Sequence, residues 1–317
     1  MKTLMLLSVI FLSLSLSAQD LDLYWLVDLE ENENKKVGFV SLSDSYPLSK
    51  HPDSLAIPDF YNVKKENREY FKLEQEYRKR FLSKTKISET DSLFAYNYST
   101  NALLSFSIKD LSAVAYLNNY RSVDNCHPCD QYDYRIGFEI KKSLLNELGN
   151  SYQNTLVYVG KENPFVLGQM KSIIWKKIRP SEFPIEKSNP KTQYRYTDTK
   201  RDKAYLYESN EFQYFLQDLI KINTDKVWER HFLIIDKRNE EVVVERVFQY
   251  SESQSLAPLN LGEPSEDYVN HPEQWTGKLL KNKPKVVFGL QWVSFSCPSL
   301  ILLGLEKEIY INCDNRH

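Results

Sequence analysis

The sequence predicts an α+β fold that is strand-rich, with mostly antiparallel hairpins and a few helices. Three observations carry that expectation. Aromatic residues make up 13% of the chain, 21 residues being tyrosine, and such side chains favour strands with a half-buried face. Tyr132, Tyr134, Ile136, Phe138 and Ile140 alternate with Asp, Arg, Gly and Glu, the period of a strand. Helices and strands do not alternate regularly, as a parallel sheet would require.

Residues 1–18 read as a cleavable secretion signal. Lys2 is the only charge before Asp20. Leu4 to Leu16 contains only Leu, Met, Ser, Val, Ile and Phe, and Ser17-Ala18-Gln19 offers small residues for cleavage. This apolar run falls short of the ~20 residues that span a bilayer. No later stretch approaches that length, so the mature chain is expected to be soluble and exported, periplasmic or extracellular.

Leu21 to Leu29 reads as a strand, and Val37 to Leu42 returns as its hairpin partner. Asp59 is placed to cap a helix over 59–83, with Phe60, Val63, Tyr70, Leu73, Tyr77 and Phe81 on one face. Glu74–Arg78 and Glu76–Arg80 are spaced as ion pairs along it. Leu93 to Tyr98 and Ala102 to Phe106 are strands, and 108–119 fits helix or strand. A short helix over 141–148 ends at Gly149. Leu156 to Val159 and Met170 to Ile178 are further strands.

Pro180, Pro184 and Pro190 punctuate a polar segment that divides the chain. Residues 19–179 form an N-terminal α+β region and 190–317 a C-terminal β-rich region, unless the two make one continuous domain. Beyond the segment, Tyr205 to Tyr207 is a strand. Phe212, Phe215, Leu216, Leu219 and Ile222 mark a helix capped by Asn210. Trp228 to Ile235 and Val242 to Tyr250 form a hairpin around Asp236-Lys237-Arg238-Asn239. A long Ser-, Pro- and acid-rich loop covers 251–273, and loops of that length are often functional. Strands near 275–281, 286–295, 299–303 and 308–313 close the chain.

Composition excludes several function classes. Without Lys2, 40 basic residues face 43 acidic ones, and near-neutrality argues against nucleic acid, whose binding depends on clustered positive charge. An apolar fraction of 42% suffices for a packed core. The nine glycines are spread so that no two lie closer than eight residues. Phosphate-cradling loops need clustered glycine, so the common nucleotide-binding enzymes are disfavoured. The Gly-x-Ser-x-Gly turn of α/β-hydrolases is also absent.

The four cysteines are the sharpest testable feature, because exported proteins meet oxidising surroundings. A hairpin centred on Leu305, with Gly304 in its turn, sets Cys297 opposite Cys313. Opposed residues of that kind lie ~4.5 Å apart between Cα atoms, near the lower limit for a disulfide. The remaining pair, Cys126-His127-Pro128-Cys129, is a C-x-x-C sequence, which in some proteins is a redox centre. Here it follows a polar approach and leads into a strand, so a structural loop disulfide is the simpler reading. Four thiolates from Cys126, Cys129, Cys297 and Cys313, with His127 or His317 as substitutes, are the donor set of a zinc site. The distance between the two pairs and the compartment disfavour it. Covalent haem is excluded, since Asp130 and not histidine follows Cys129.

The histidines at 51, 127, 231, 271 and 317 form no metalloprotease pattern. His51, His127 and His271 precede proline and belong to loops. His231 lies in a strand, where it reads as a satisfied sheet residue. The polar ending Asp314-Asn315-Arg316-His317 follows Cys313 closely.

Three functions follow as expectations. The first and favoured is a non-enzymatic exported protein that binds a protein or glycan partner without a cofactor. The second is a hydrolase of glycan or peptide with its site in the loops around 251–273. The third is a thiol–disulfide protein using Cys126 and Cys129.

Overall fold

The computed structural model describes residues 21–30, 36–46, 57–58, 67–118, 132–149, 152, 154–193, 199–222, 224–262 and 273–314. The signal at 1–18, the cap at Asp59 and the Cys126–Cys129 pair therefore lie outside the described residues. In chain order the strands are β1 (Leu23–Trp25), β2 (Val27–Glu30), β3 (Lys36–Ser41) and β4 (Tyr70–Lys72). Helix α1 (Gln75–Thr85) precedes β5 (Ser92–Asn97), β6 (Ala102–Ser107), β7 (Ser112–Leu117), β8 (Tyr134–Lys141) and β9 (Thr155–Gly160). Next come β10 (Met170–Ser172), β11 (Lys176–Ile178) and the single-turn helix α2 (Pro190–Gln193). The long strands β12 (Thr199–Glu208), β13 (Phe212–Lys221), β14 (Val227–Asp236) and β15 (Val242–Gln249) follow. The chain ends in β16 (Gln254–Leu256), β17 (Trp275–Gly277), β18 (Val286–Phe288), β19 (Gln291–Val293), β20 (Ser299–Leu302) and β21 (Glu308–Asn312).

These strands make a nine-stranded sheet in the order β10-β17-β18-β20-β21-β1-β9-β5-β6. They also make two five-stranded sheets, β2-β3-β8-β7-β4 and β11-β12-β13-β14-β15, and a ribbon β16-β19. Among the described residues only β1 and β21 pair in parallel. The fold is thus strand-rich and antiparallel, and nearly all-β. No helix of the described residues is long and apolar enough to cross a membrane. The nine-stranded sheet takes strands from both sides of the proline-punctuated segment.

Side-chain alternation explains the layering. On one face of the nine-stranded sheet, Leu93, Ala95 and Val157 pack with Val40, Phe138, Ile136 and Phe81 of the first five-stranded sheet and α1. Further along, Val287 and Ile301 pack with Tyr214, Leu216, Phe232 and Ile234 of the second. The alternate residues Phe94, Tyr96, Leu156, Leu300 and Leu302 fill the opposite face. There the sheet curls, so that Tyr98 meets Trp275 at 5.1 Å and Phe288 at 5.3 Å between ring centres.

The hairpins β2–β3 and β14–β15 stand where the turn residues and apolar runs place them, and the strands expected at 93–98 and 102–106 are β5 and β6, which pair with each other. Several expectations are overturned. The residues 212–222 are not a helix but β13, a central strand whose partners are β12 and β14. Phe212, Phe215, Leu216 and Leu219 fit helical spacing, yet both faces of this strand are covered. Phe212, Tyr214 and Leu216 face one cluster and Phe215 the other, so an unbroken apolar run hides the two-residue period.

Of the helix expected at 59–83, the described part from 67 onward is helical only in α1, Gln75–Thr85, and Tyr70–Lys72 is strand β4. Tyr70 pairs with Tyr116 across the sheet, their rings 4.8 Å apart, and cross-strand aromatic contact of this kind outweighs a local helical period. Gln75, with φ +48°, marks the change of direction into α1. Glu74 is consequently extended and does not pair with Arg78. Arg78 turns instead to Glu89, at 2.8 Å from both of its donating nitrogens, and to the carbonyls of Ile108 and Leu111.

Three expected strands are each split between sheets, the one near 286–295 into β18 of the nine-stranded sheet and β19 of the ribbon. Leu26 interrupts the 21–29 run, donating its N–H to the Thr155 carbonyl at 3.3 Å. This sends β1 to the nine-stranded sheet and β2 to a five-stranded one. Met170 to Ile178 likewise divides into β10 and β11, in different sheets. The ambiguous 108–119 stretch is a single 3-10 turn at Ile108–Asp110 followed by β7. Tyr132 lies in the turn before β8, and 141–148 forms two 3-10 turns.

Candidate functional site

The sulfur atoms of Cys297 and Cys313 lie 2.13 Å apart, at disulfide distance, with Cα atoms separated by 5.4 Å. The hairpin axis differs from the expected one. Ser299 faces Tyr310 and Leu300 faces Ile309, so the centre falls between Gly304 and Leu305. The cysteines therefore join just beyond the ladder, past the Ile311 N–H donated to the Pro298 carbonyl at 2.9 Å. Asp44 accepts the N–H groups of Cys313 at 3.1 Å and Asp314 at 2.8 Å, and Ser41 donates to the Asp314 carboxylate at 2.9 Å. Asp44, Cys297 and Cys313 cluster closely enough to suggest a metal site. Sulfurs joined to each other carry no thiolate, so the cluster ties the end of the chain to the turn after β3.

His231 is fully buried on β14, its Nε2 2.9 Å from Glu245 Oε1 and its ring against Phe183. Glu245 also accepts the Asn189 N–H at 3.0 Å. The pair fastens the 180–193 segment over the outer face of the second five-stranded sheet, where Phe183 covers Phe215, Leu233 and Ile235. On the inner face the same sheet buries Arg230 against Asp218. Arg230 Nε donates to Asp218 Oδ1 at 2.8 Å, and its Nη1 donates to the Ala257 carbonyl. Burial pushes the Asp218 carboxyl above the usual range, against the opposing pull of the Arg230 charge. Both constellations hold layers together, and neither opens to a reacting ligand.

A shallow groove of about 500 Å³ runs along α1, lined by Gln75, Lys79, Ser83, Ile87 and the Arg78–Glu89 pair. Arg78 is committed to Glu89 and two carbonyls, so the groove offers no free ionised centre from that residue.

Aromatic residues gather at one end of the second five-stranded sheet, away from the Asp236–Glu241 turn. The Trp228 and Tyr250 rings lie 5.8 Å apart. Lys221 Nζ stands 5.2 Å over Trp228, and Lys226 Nζ stands 3.9 Å over Tyr250. Tyr250 donates its N–H to the Trp228 carbonyl at 2.8 Å, which closes the β14–β15 ladder. The chain then turns at once, Ser251 N–H reaching the Gln254 carbonyl at 2.8 Å, into the β16–β19 ribbon. Ser294 donates to the Ser253 carbonyl at 2.9 Å. The ribbon presents Trp292 and Phe295, which are 48% and 55% exposed. Trp292 Nε1 donates to Glu273 Oε2 at 3.3 Å, which orients the indole. Lys221, Asp225, Lys226, Ser251 and Glu252, near neighbours of Trp228 or Tyr250 along the chain or over their rings, are exposed.

Gly289 makes this arrangement possible. Its φ is +82°, and a Cβ there would stand 1.9 Å from the Glu273 carbonyl oxygen. The chain can thus leave β18 and enter β19 only with glycine at this point.

The sequence reading passed over these rings. The hairpin expected around Asp236-Lys237-Arg238-Asn239 brings their strands together, and the register shift between Ile234 and Ile235 sets Trp228 level with Tyr250. The position of Trp292 depends on β16 pairing with β19, for which the sequence holds no local sign.

No protein-family model, curated protein or solved structure matches this chain.

Proposed function

We propose that this is an exported, non-enzymatic binding protein that recognises a glycan through the ledge formed by Trp228, Tyr250, Trp292 and Phe295. The observation that carries the reading is the exposure of Trp292 and Phe295 on the β16–β19 ribbon, which the chain enters directly after the Lys-flanked Trp228–Tyr250 pair. Large aromatics left in water at a sheet end are typical of recognition surfaces. A pyranose ring has an apolar C–H face and a rim of hydroxyls. The ledge supplies flat rings for the first and amines, carboxylates and hydroxyls for the second. Lys221 and Lys226 favour sugars that carry carboxylates.

The test is a titration of the mature protein with neutral and acidic soluble polysaccharides, followed by tryptophan emission. Saturable binding is expected, and Trp292→Ala or Tyr250→Ala should weaken it by about tenfold each, the ~1.4 kcal/mol that a stacked ring contributes. A folded protein inert to every glycan, or alanine variants that bind unchanged, would overturn the reading.

A further inference from the structure

Strand β6 ends one side of the nine-stranded sheet. Its ladder with β5 continues into the Ile108 N–H donated to the Asp91 carbonyl at 3.0 Å. Backbone groups alternate in direction along an antiparallel strand. Even-numbered residues 102–108 therefore bond toward β5, and the N–H and C=O groups of Leu103, Ser105 and Ser107 point away from the sheet. Among the described residues none of these three makes a hydrogen bond on that side, so their backbone groups are placed to pair with another strand.

The remaining sheet edges are guarded by their own residues, whereas β6 is met, among the described residues, by the 3-10 turn Asn146–Leu148 on the face that carries Ala102 and Leu104. Edges are ordinarily blunted by shortness, charge, proline or a covering segment. Strands β10, β11 and β4 have three residues each. Strand β2 carries Asp28 and Glu30. Strand β15 carries Glu245 and Arg246, and Gly304 donates to its Val243 carbonyl at 3.3 Å. Strand β6 has six residues, Ala-Leu-Leu-Ser-Phe-Ser, with no charge, no proline and no bulge. Leu103, Leu104 and Phe106 are only half-buried along it.

We infer that β6 pairs antiparallel with β6 of a second copy of this chain, Leu104 lying opposite Leu104 on a two-fold axis. The sequence fits itself in that register. Ala102, Leu104 and Phe106 share the face toward the first five-stranded sheet, and Leu103 points to the other. Phe106 of each copy then falls opposite the small Ala102 of the other, and Leu103 opposite Ser105. The two sheets become one continuous sheet with an isologous interface. The contact is that of one strand pair, so the dimer is weak and concentration-dependent.

Sedimentation of the full mature protein over a wide concentration range tests this. The mass should rise toward twice the monomer value. Ser105→Pro removes an outward N–H that β5 does not use, and Ser105→Lys places a charge on an exposed position. Both should remain monomeric at every concentration with unchanged urea midpoints. The register has its own test. Leu104→Cys sits on the axis, where opposed Cα atoms are ~4.5 Å apart, and should oxidise to a covalent dimer, while Ser105→Cys should not. A wild-type chain that stays monomeric throughout overturns the proposal and leaves the edge to an unlike extended strand. Ser105 variants that dimerise like the wild type overturn it too, because another surface then makes the contact.

Discussion

The second five-stranded sheet and the nine-stranded sheet use the same residue types but are assembled in opposite ways. In the first, β11 to β15 follow one another along the chain, four of them are eight or ten residues long, and each pairs with the next. In the second, no strand exceeds six residues, and β1 near the start of the chain lies between β9 and β21. The meander takes its register from its turns. The nine-stranded sheet takes its register from burial, since its partners meet only after the chain has closed long loops. Contacts made across long loops carry a larger closure cost before they stabilise anything. The meander can therefore hold a charged pair in its interior, whereas the larger sheet closes with a covalent link at its last strand.

The largest expected effect breaks the meander. Arg230→Ala leaves Asp218 buried with no cation, and should cost about 3–5 kcal/mol in urea unfolding. A loss below 1 kcal/mol would mean that the pair is open to water. Next comes the closing link of the larger sheet. Replacing Cys297 and Cys313 together by serine should cost about 3 kcal/mol. Hydrogen exchange should then quicken in β21 and β1 while β13 and β14 stay protected. Uniform loss of protection would erase the distinction between the two sheets.

Gly289→Ala acts where the two sheets hand the chain to the ribbon. Forcing a side chain into that backbone region, against the Glu273 carbonyl, should cost about 1–3 kcal/mol. It should also shift the emission of Trp292, and an unchanged spectrum would detach Gly289 from the ledge. The smallest effect sharpens the meander's turn. Arg238 donates to Asp236 at 2.6 Å and holds its carboxyl at about 2. A depressed carboxyl stabilises the folded state above its ordinary value of ~3.9. That contribution should fade as pH falls from about 4 toward 2. NMR titration of Asp236 with an ordinary midpoint would remove it.

Much of the sheet architecture was legible residue by residue. The alternation from Tyr134 to Ile140 announced β8. Apolar runs announced β5 and β6, and turn residues between apolar runs announced the β14–β15 hairpin. The candidate ledge was legible only in its Trp228 and Tyr250 strands, because Trp292 is placed by a pairing of β16 with β19 that no local pattern encodes. The free edge of β6 was equally hidden, since a strand's place in a sheet depends on what fails to pair with it.

By itself the sequence determined an antiparallel, strand-rich chain, because turn chemistry and two-residue periodicity act between near neighbours. It also contained the hairpin that brings Cys297 near Cys313, to within one residue of register. Tertiary structure decided the rest. It made 212–221 a strand, because burial on both faces demands apolar residues at every position and erases the period that would tell strand from helix. It turned Tyr70–Lys72 from helix to strand through Tyr116, a partner 46 residues away. It also split three continuous runs between sheets, because layers are chosen by which distant surfaces remain to be covered.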